Sequence, residues 1–71
     1  MTNAPMSILL NGEKTDAREA KTIAQLVERF ELPPQNILIE HNGLALHRHE
    51  WSQRTIADGD RVEMIRVVSG G

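Results

Sequence analysis

The sequence predicts an α+β domain in which one amphipathic helix packs on one face of a mixed β-sheet. Three observations lead to this fold class. Short segments alternate between apolar and polar residues, two Asn-Gly pairs separate such segments, and one stripe of apolar residues between them has helical spacing. The chain has 71 residues, which is enough for one domain of this kind and leaves no room for a second.

Residues 6 to 11 alternate in polarity, which predicts the first strand with Ile8 and Leu10 on its inner face. Asn11-Gly12 then predicts a tight hairpin turn. The return strand, residues 13 to 16, is short and polar, as is typical of a sheet edge that must not pair with other chains.

The helix is predicted to begin after Thr22, because Gln25 stands three residues later and the two can form a capping box. It is predicted to finish at Glu31-Leu32, because Pro33 and Pro34 cannot continue it. Its apolar stripe, at spacing i, i+3, i+4 and i+7, consists of Ile23, Leu26, Val27 and Phe30.

The second half of the chain predicts a second hairpin and a final strand. Residues 37 to 41 and 44 to 46 are joined by Asn42-Gly43, so that Ile39 faces Leu46 and Ile37 faces Arg48. This pairing puts Ile37, Ile39, Leu44 and Leu46 on the core side and Leu38, Glu40, Ala45 and His47 outside. The irregular residues 47 to 57 are anchored by Trp51 and Ile56. After the turn Asp58-Gly59-Asp60, residues 61 to 67 place Val62 and Met64 inward and Glu63, Ile65 and Val67 outward.

Together these elements predict a four-stranded mixed sheet with the first and last strands parallel and one main helix on one face, which is the β-grasp (ubiquitin-like) plan. Residues 1–5 are expected to be a flexible lead-in, 6–68 the β-grasp domain, and 69–71 a flexible reactive tail. The predicted core consists of Ile8, Leu10, Ile23, Leu26, Phe30, Ile39, Leu46, Val62 and Met64.

Composition excludes several classes of function. Eight Lys and Arg against ten Asp and Glu, with one Trp, one Phe and no Tyr, offer neither a basic field nor a stacking platform for nucleic acid. Cysteine is absent, which removes disulfides and thiolate chemistry. The longest apolar run is three residues, Ile8 to Leu10, so we expect no membrane segment and a cytoplasmic location.

The feature that carries chemistry is the C-terminal pair Gly70-Gly71, which follows Ser69 directly after the last strand. A terminal carboxylate is ionised at neutral pH, with a pKa of about 3.5. Glycines without Cβ atoms let such a tail run extended through a narrow channel and present its carbonyl carbon to attack.

The chain resembles the ThiS family of sulfur carriers of thiazole biosynthesis, in the β-grasp superfamily. The resemblance covers residues 6 to 71. It rests on Leu10-Asn11-Gly12-Glu13, Thr22, Leu26, Asn42-Gly43, Arg48, Trp51, Asp58-Gly59-Asp60-Arg61-Val62-Glu63 and Gly70-Gly71.

The resemblance implies a protein co-substrate that is not itself an enzyme and binds no cofactor. A ThiF-type adenylating enzyme would use ATP and magnesium to join AMP to Gly71. A persulfide sulfur donor protein would then supply the sulfur of a thiocarboxylate, and thiazole synthase (ThiG) would consume it. Alternatives with the same terminus are the molybdopterin synthase small subunit and a ubiquitin-like modifier joined through Gly71. A plain β-grasp binding module is a further alternative.

Other candidate sites are weaker. His47 and His49 could begin a metal site, but His41 is predicted on the opposite face, and no third ligand is evident. Asp58 and Asp60 flank a turn glycine, which favours a structural role over acid-base catalysis. The outward apolar residues predict a surface for partner proteins, consisting of Leu38, Ala45, Ile65, Val67 and Val68.

Overall fold

The computed structural model describes residues 5 to 67, and Val68, Ser69, Gly70 and Gly71 of the predicted site lie outside them. The strands are β1 (Ser7–Leu10), β2 (Glu13–Asp16), β3 (Ile37–His41), β4 (Leu44–Leu46) and β5 (Arg61–Arg66). They form one five-stranded sheet in the order β2-β1-β5-β3-β4. The predicted count of four strands is therefore wrong, since all five segments predicted as strands belong to the sheet. They include the polar edge strand β2, which pairs with β1 from Ser7↔Asp16 to Leu10↔Glu13.

The sheet has the predicted mixed topology. Strands β1 and β5 are parallel neighbours, with Leu10 paired to Val62, whereas β3 is antiparallel to both β4 and β5. With one main helix on one face, this arrangement is a β-grasp fold, as predicted. It places β5, the strand that leads to the C-terminus, at the centre of the sheet.

The helix α1 spans Ile23–Arg29 and begins where the sequence predicts. The hydroxyl of Thr22 accepts a hydrogen bond from the Gln25 amide at 3.1 Å. The Gln25 side-chain oxygen accepts one from the Lys21 amide at 2.7 Å, so the reciprocal bond of the cap reaches one residue farther back than in the usual capping box.

The predicted end of α1 at Leu32 is wrong, because a left-handed residue ends the helix before the prolines are reached. Glu31 has φ of 54°. The amides of Leu32 and Glu31 donate to the carbonyls of Val27 and Glu28, at 3.2 and 3.0 Å. These two bonds form a Schellman motif, in which glycine is the usual residue at the position of Glu31.

The core lies between α1 and the sheet. Six of the nine predicted core residues are buried, and Leu10, Phe30 and Met64 pack against them while partly exposed. Further members of the core that the prediction did not include are Ala17 and Ala20, both fully buried. They flank Arg18 and Glu19, which have φ of 56° and 63°.

Two details of the second hairpin differ from the prediction. Leu44, predicted on the core side, is 49% exposed, because it begins the edge strand β4, which has a neighbouring strand on one side only. The ladder between β3 and β4 stops at Ile39↔Leu46, so Ile37 does not face Arg48. Instead, Arg48 enters a 3-10 helix, Arg48–Glu50.

The crossover after β4 is fastened to the start of α1. The amide of Ile23 donates to the Arg54 carbonyl at 2.9 Å, and that of Ile56 donates to the Lys21 carbonyl at 3.0 Å. Both predicted anchors, Trp51 and Ile56, are buried. No helix within residues 5 to 67 is long and apolar enough to cross a membrane.

Candidate functional site

The sheet face opposite α1 carries the predicted apolar surface. Leu38, Ile65 and Val67 are 57%, 47% and 44% exposed, and Ala45 is exposed beside them on β4. Leu38 and Ile65 are direct cross-strand partners, so their side chains lie side by side. We call Leu38, Ala45, Ile65 and Val67 the open-face patch.

The open-face patch lies where β5 leaves the sheet. Arg66 pairs with Ile37, and the amide of Val67 donates to the Asn36 carbonyl at 2.7 Å, so the strand is held to its neighbour through its last described residue. Gly71 follows Val67 by four residues. A four-residue segment spans at most about 14 Å. Any protein that contacts Gly71 would therefore do so within about 14 Å of the end of β5.

Two glutamates lie next to this patch on the same face. Glu40 on β3 and Glu63 on β5 are direct cross-strand partners. Glu40 follows Leu38 by two residues, and Glu63 precedes Ile65 by two residues. Within residues 5 to 67, the contacts of salt-bridge length join Glu28 to Arg29 and His41 to Asp60, so neither Glu40 nor Glu63 has a cationic partner within 4.0 Å there. We call Glu40 and Glu63 the acidic pair.

The helix-covered side contains a buried polar network centred on His41, which is 4% exposed. Its Nε2 lies 2.7 Å from Asp60 Oδ2, and its Nδ1 accepts a hydrogen bond from Arg54 Nε at 2.9 Å. Because Nδ1 accepts, the proton must be on Nε2, which donates to Asp60. The network joins β3, the crossover and the turn before β5.

Asp60 is the residue whose ionisation this network changes. Burial acts to raise its pKa, but hydrogen bonds from His41 and from the Ala57 amide, the latter at 2.8 Å, stabilise the carboxylate. The net result is a pKa of Asp60 below the ordinary value of 3.8. A carboxylate held in this way is suited to a structural role and poorly suited to accepting a proton in catalysis.

The other candidate sites from the sequence were a catalytic role for Asp58 and a metal site at His47 and His49. Asp58 Oδ1 accepts a hydrogen bond from the Ser7 amide at 2.9 Å, so both aspartates of the turn support the fold, as predicted. The rings of His47 and His49 stack with their centroids 5.6 Å apart. In the part of the chain that the structure describes, no three His, Cys, Asp or Glu residues come together as a metal site.

Trp51 is a core residue, as predicted, and is 4% exposed. The guanidinium of Arg48 lies over its ring, 5.3 Å from the centroid. Arg48 and Trp51, two of the residues that carry the family resemblance, therefore support each other structurally within the crossover.

The role of His41 was missed by the sequence analysis, although the signal was present. His41 continues the inward positions Ile37 and Ile39 at spacing two, which places it on the buried face. A buried histidine needs hydrogen-bond partners, and Asp60 comes directly before the strand that pairs with β3. The sequence analysis placed His41 on the face opposite His47, and the step it lacked was the hydrogen bond from the buried imidazole to Asp60.

A model described as the ThiS family matches residues 3–71, which is nearly the whole chain. The chain belongs to the ThiS family. The fold supports this result, since a crystal structure of the thiamine biosynthesis protein ThiS from Geobacter metallireducens is similar with a TM-score of 0.78 and 26% identity. That similarity covers 93% of this chain and 100% of the Geobacter chain.

Two relatives by sequence extend the comparison of this ThiS-family chain. The sulfur carrier protein ThiS of Escherichia coli is 26% identical over 93% of this chain and 100% of its own length. A thiazole synthase of Paramagnetospirillum magneticum is 23% identical over 93% of this chain, and the match covers 20% of that larger protein.

Proposed function

We propose that this protein is a sulfur carrier of thiamine biosynthesis, in which the carboxyl group of Gly71 holds the sulfur as a thiocarboxylate. One observation carries the proposal: the family match extends to Gly71, beyond the last strand, in a chain that has no cysteine. Without a thiol, the chain has no side chain that could hold transferable sulfur as a persulfide.

The chemistry requires activation of the carboxylate, because oxide is a poor leaving group. A ThiF-type adenylating enzyme joins AMP from ATP to Gly71 with the help of magnesium and releases pyrophosphate. The persulfide of a sulfur donor protein then displaces AMP and leaves an acyl disulfide between Gly71 and the donor. A second thiol of the donor or of the adenylating enzyme reduces this S–S bond, which releases the thiocarboxylate and leaves that thiol and the donor thiol joined as a disulfide. In this scheme the chain is a protein co-substrate, and the catalytic groups, ATP and magnesium belong to the partner.

Thiazole synthase (ThiG) is the proposed acceptor of the sulfur. The segment of a protein named thiazole synthase that is similar to this chain supports the pairing of the two activities. In the same scheme, Ser69 and Gly70 form the narrow part of the tail that enters the partner's channel, because neither has a bulky side chain.

The proposed contact surface for the partner enzymes is the open-face patch together with Val68. The patch is apolar, exposed and next to the end of β5, from which Gly71 can be no more than about 14 Å away. Ala45 and Leu38 widen this surface across β4 and β3.

The test is mass spectrometry after incubation with the adenylating enzyme, ATP, magnesium and sodium sulfide. The wild-type chain should gain the mass that corresponds to replacing one oxygen by sulfur, located in its C-terminal peptide. Deletion of Gly71 should abolish the gain, because the activated carboxyl would be displaced from a site in which reacting atoms must approach within about 3.5 Å. An equal thermal midpoint of the truncated chain would show that its fold is intact.

Other outcomes would refute the proposal or redirect it. Sulfur retained by the chain without Gly71 would contradict a terminal thiocarboxylate. Wild-type protein linked to lysines of other proteins would indicate a ubiquitin-like modifier. Sulfur transfer to the large subunit of molybdopterin synthase, and none to thiazole synthase, would identify the molybdopterin alternative.

A further inference from the structure

We propose that the open face binds a partner protein that places one basic side chain, an arginine or a lysine, between Glu40 and Glu63. This inference rests on the proposed function and adds the charge that the partner must bring. The open-face patch provides the apolar part of the contact. The acidic pair selects for partners that have a basic side chain at this position.

The sheet register places the two carboxylates within reach of one cation. Glu40 and Glu63 are directly opposite on neighbouring antiparallel strands. Such pairs have Cβ atoms about 4.5 to 5.5 Å apart. A guanidinium has five N–H donors in a planar fork, so one arginine can donate to both carboxylates at once.

In the described part of the chain, no cationic side chain forms an ion pair with either glutamate of the acidic pair. Arg61 is on the same face of β5, two residues before Glu63, but forms no ion pair within 4.0 Å with either glutamate among residues 5 to 67. Like charges directly opposite each other on a sheet are destabilising. The free protein therefore carries a repulsion that a basic side chain of a partner would relieve.

The neighbouring patch makes this charge selective. Leu38 and Ile65 stand one position farther along the same face, so a protein that covers them also removes water from around the acidic pair. Desolvated carboxylates without a counter-charge oppose binding strongly. A partner surface that is neutral or acidic at this point is thus rejected, whereas a basic one is accepted.

The occupant is a protein cation and not a metal ion. Two carboxylates on an exposed sheet face provide too few ligands for calcium or magnesium, which take six or more. Within residues 5 to 67, no third His, Cys, Asp or Glu joins them. The apolar residues beside the acidic pair are suited to contact with a protein and provide no oxygen ligands for a hydrated metal ion.

The experiment compares Glu40→Gln, Glu63→Gln and the double variant as substrates of the adenylating enzyme, followed by pyrophosphate release at low and high sodium chloride. Glutamine keeps the shape and removes the charge. We expect the KM for the carrier to rise about tenfold in each single variant, with kcat unchanged. In the double variant, the KM should rise by less than the product of the two single-variant increases, because both glutamates bind the same cation. The dependence of KM on salt should become weaker.

Two measurements separate this role from a structural one. The thermal midpoints of the variants should equal or exceed that of the wild type, because removing one charge ends the repulsion. Glu13→Gln, on the exposed edge strand β2, makes the same change in net charge away from the open face and should leave KM unchanged.

The outcomes are decisive. Unchanged KM in the Glu40 and Glu63 variants, an equal rise in Glu13→Gln, or a lowered thermal midpoint would each overturn the inference while wild-type conversion at Gly71 upholds the proposed function. If the adenylating enzyme does not act on the wild type, the proposed function fails and this inference fails with it.

Discussion

The substitution Asp60→Asn tests whether the buried network around His41 holds the start of β5 in place. One oxygen of Asp60, Oδ2, accepts hydrogen bonds from His41 Nε2 at 2.7 Å and from the Ala57 amide at 2.8 Å. Asparagine is isosteric and can present a carbonyl oxygen at the same position. The substitution therefore keeps both of these bonds, removes the charge of the acceptor, and replaces the second oxygen by an NH2 group.

The expected loss follows from that difference in charge. A hydrogen bond to a charged group contributes about 1.5 to 3 kcal/mol, and a neutral one contributes about 1 kcal/mol. With two such bonds, Asp60→Asn should lower the free energy of unfolding by about 1 to 4 kcal/mol at neutral pH. Each kcal/mol corresponds to a fall of about 4 to 8 °C in the thermal midpoint of a domain of this size.

The loss should depend on pH with a definite sign. The pKa of Asp60 is lowered in the folded protein, so the folded state binds this proton more weakly than the unfolded chain does. The stabilisation is complete above the ordinary pKa of 3.8, which applies to the unfolded chain, and disappears as the pH falls through the folded pKa. The difference between wild type and variant should thus be constant from pH 5 upward and shrink below about pH 4.

Urea unfolding at a series of pH values between about 3 and 7 measures this difference directly. Asp58→Asn is the matched control, since Asp58 flanks the same turn but is exposed and accepts one backbone hydrogen bond. The free energy of unfolding should fall less in Asp58→Asn than in Asp60→Asn. Equal stability of wild type and Asp60→Asn at pH 7, or a difference that persists undiminished below the folded pKa, would refute the assigned role of the network.

Three further predictions concern the core, the open face and the end of the helix. Leu26→Ala removes a fully buried side chain and should cost about 2 to 5 kcal/mol by urea unfolding; an unchanged midpoint would contradict the packing of α1. Ile65→Glu should weaken binding to the adenylating enzyme at an unchanged thermal midpoint, and loss of folding would show that the sheet faces are reversed. Glu31→Gly should stabilise the domain by about 0.5 to 1 kcal/mol in the same urea assay, because glycine adopts positive φ without strain; destabilisation would contradict the left-handed helix end.

The parts of the fold that depend on local chemistry were predictable. Asn11-Gly12 and Asn42-Gly43 have positive φ at all four residues, which fixes the two hairpins and their registers. The exposure of Ile65 and Val67 and the burial of Val62 follow from alternation alone. The acidic pair was visible too, as two outward residues, but its pairing depends on the register between β3 and β5.

The errors in the predicted fold occurred where long-range packing or an unusual backbone conformation determines the structure. Glu31 ends α1 in a left-handed conformation that glutamate rarely adopts, so the prolines were the more obvious stop signal. The burial of Ala17 and Ala20 depends on the left-handed residues between them, for which Arg18 and Glu19 give no signal. Leu44 has a core-side register position, and its exposure at the sheet edge depends on which strands lie beside it.

The position of β5 connects the fold to the proposed chemistry. It is the central strand, bonded to β1 on one side and to β3 on the other, with Val62 fully buried in the core. Central strands open only with the whole domain, whereas edge strands fray at lower cost. The same strand turns Glu63 and Ile65 toward the open face. A partner that binds the open face would therefore contact a rigid surface. In the proposed function, the carboxyl group of Gly71 would lie no more than about 14 Å from the end of β5.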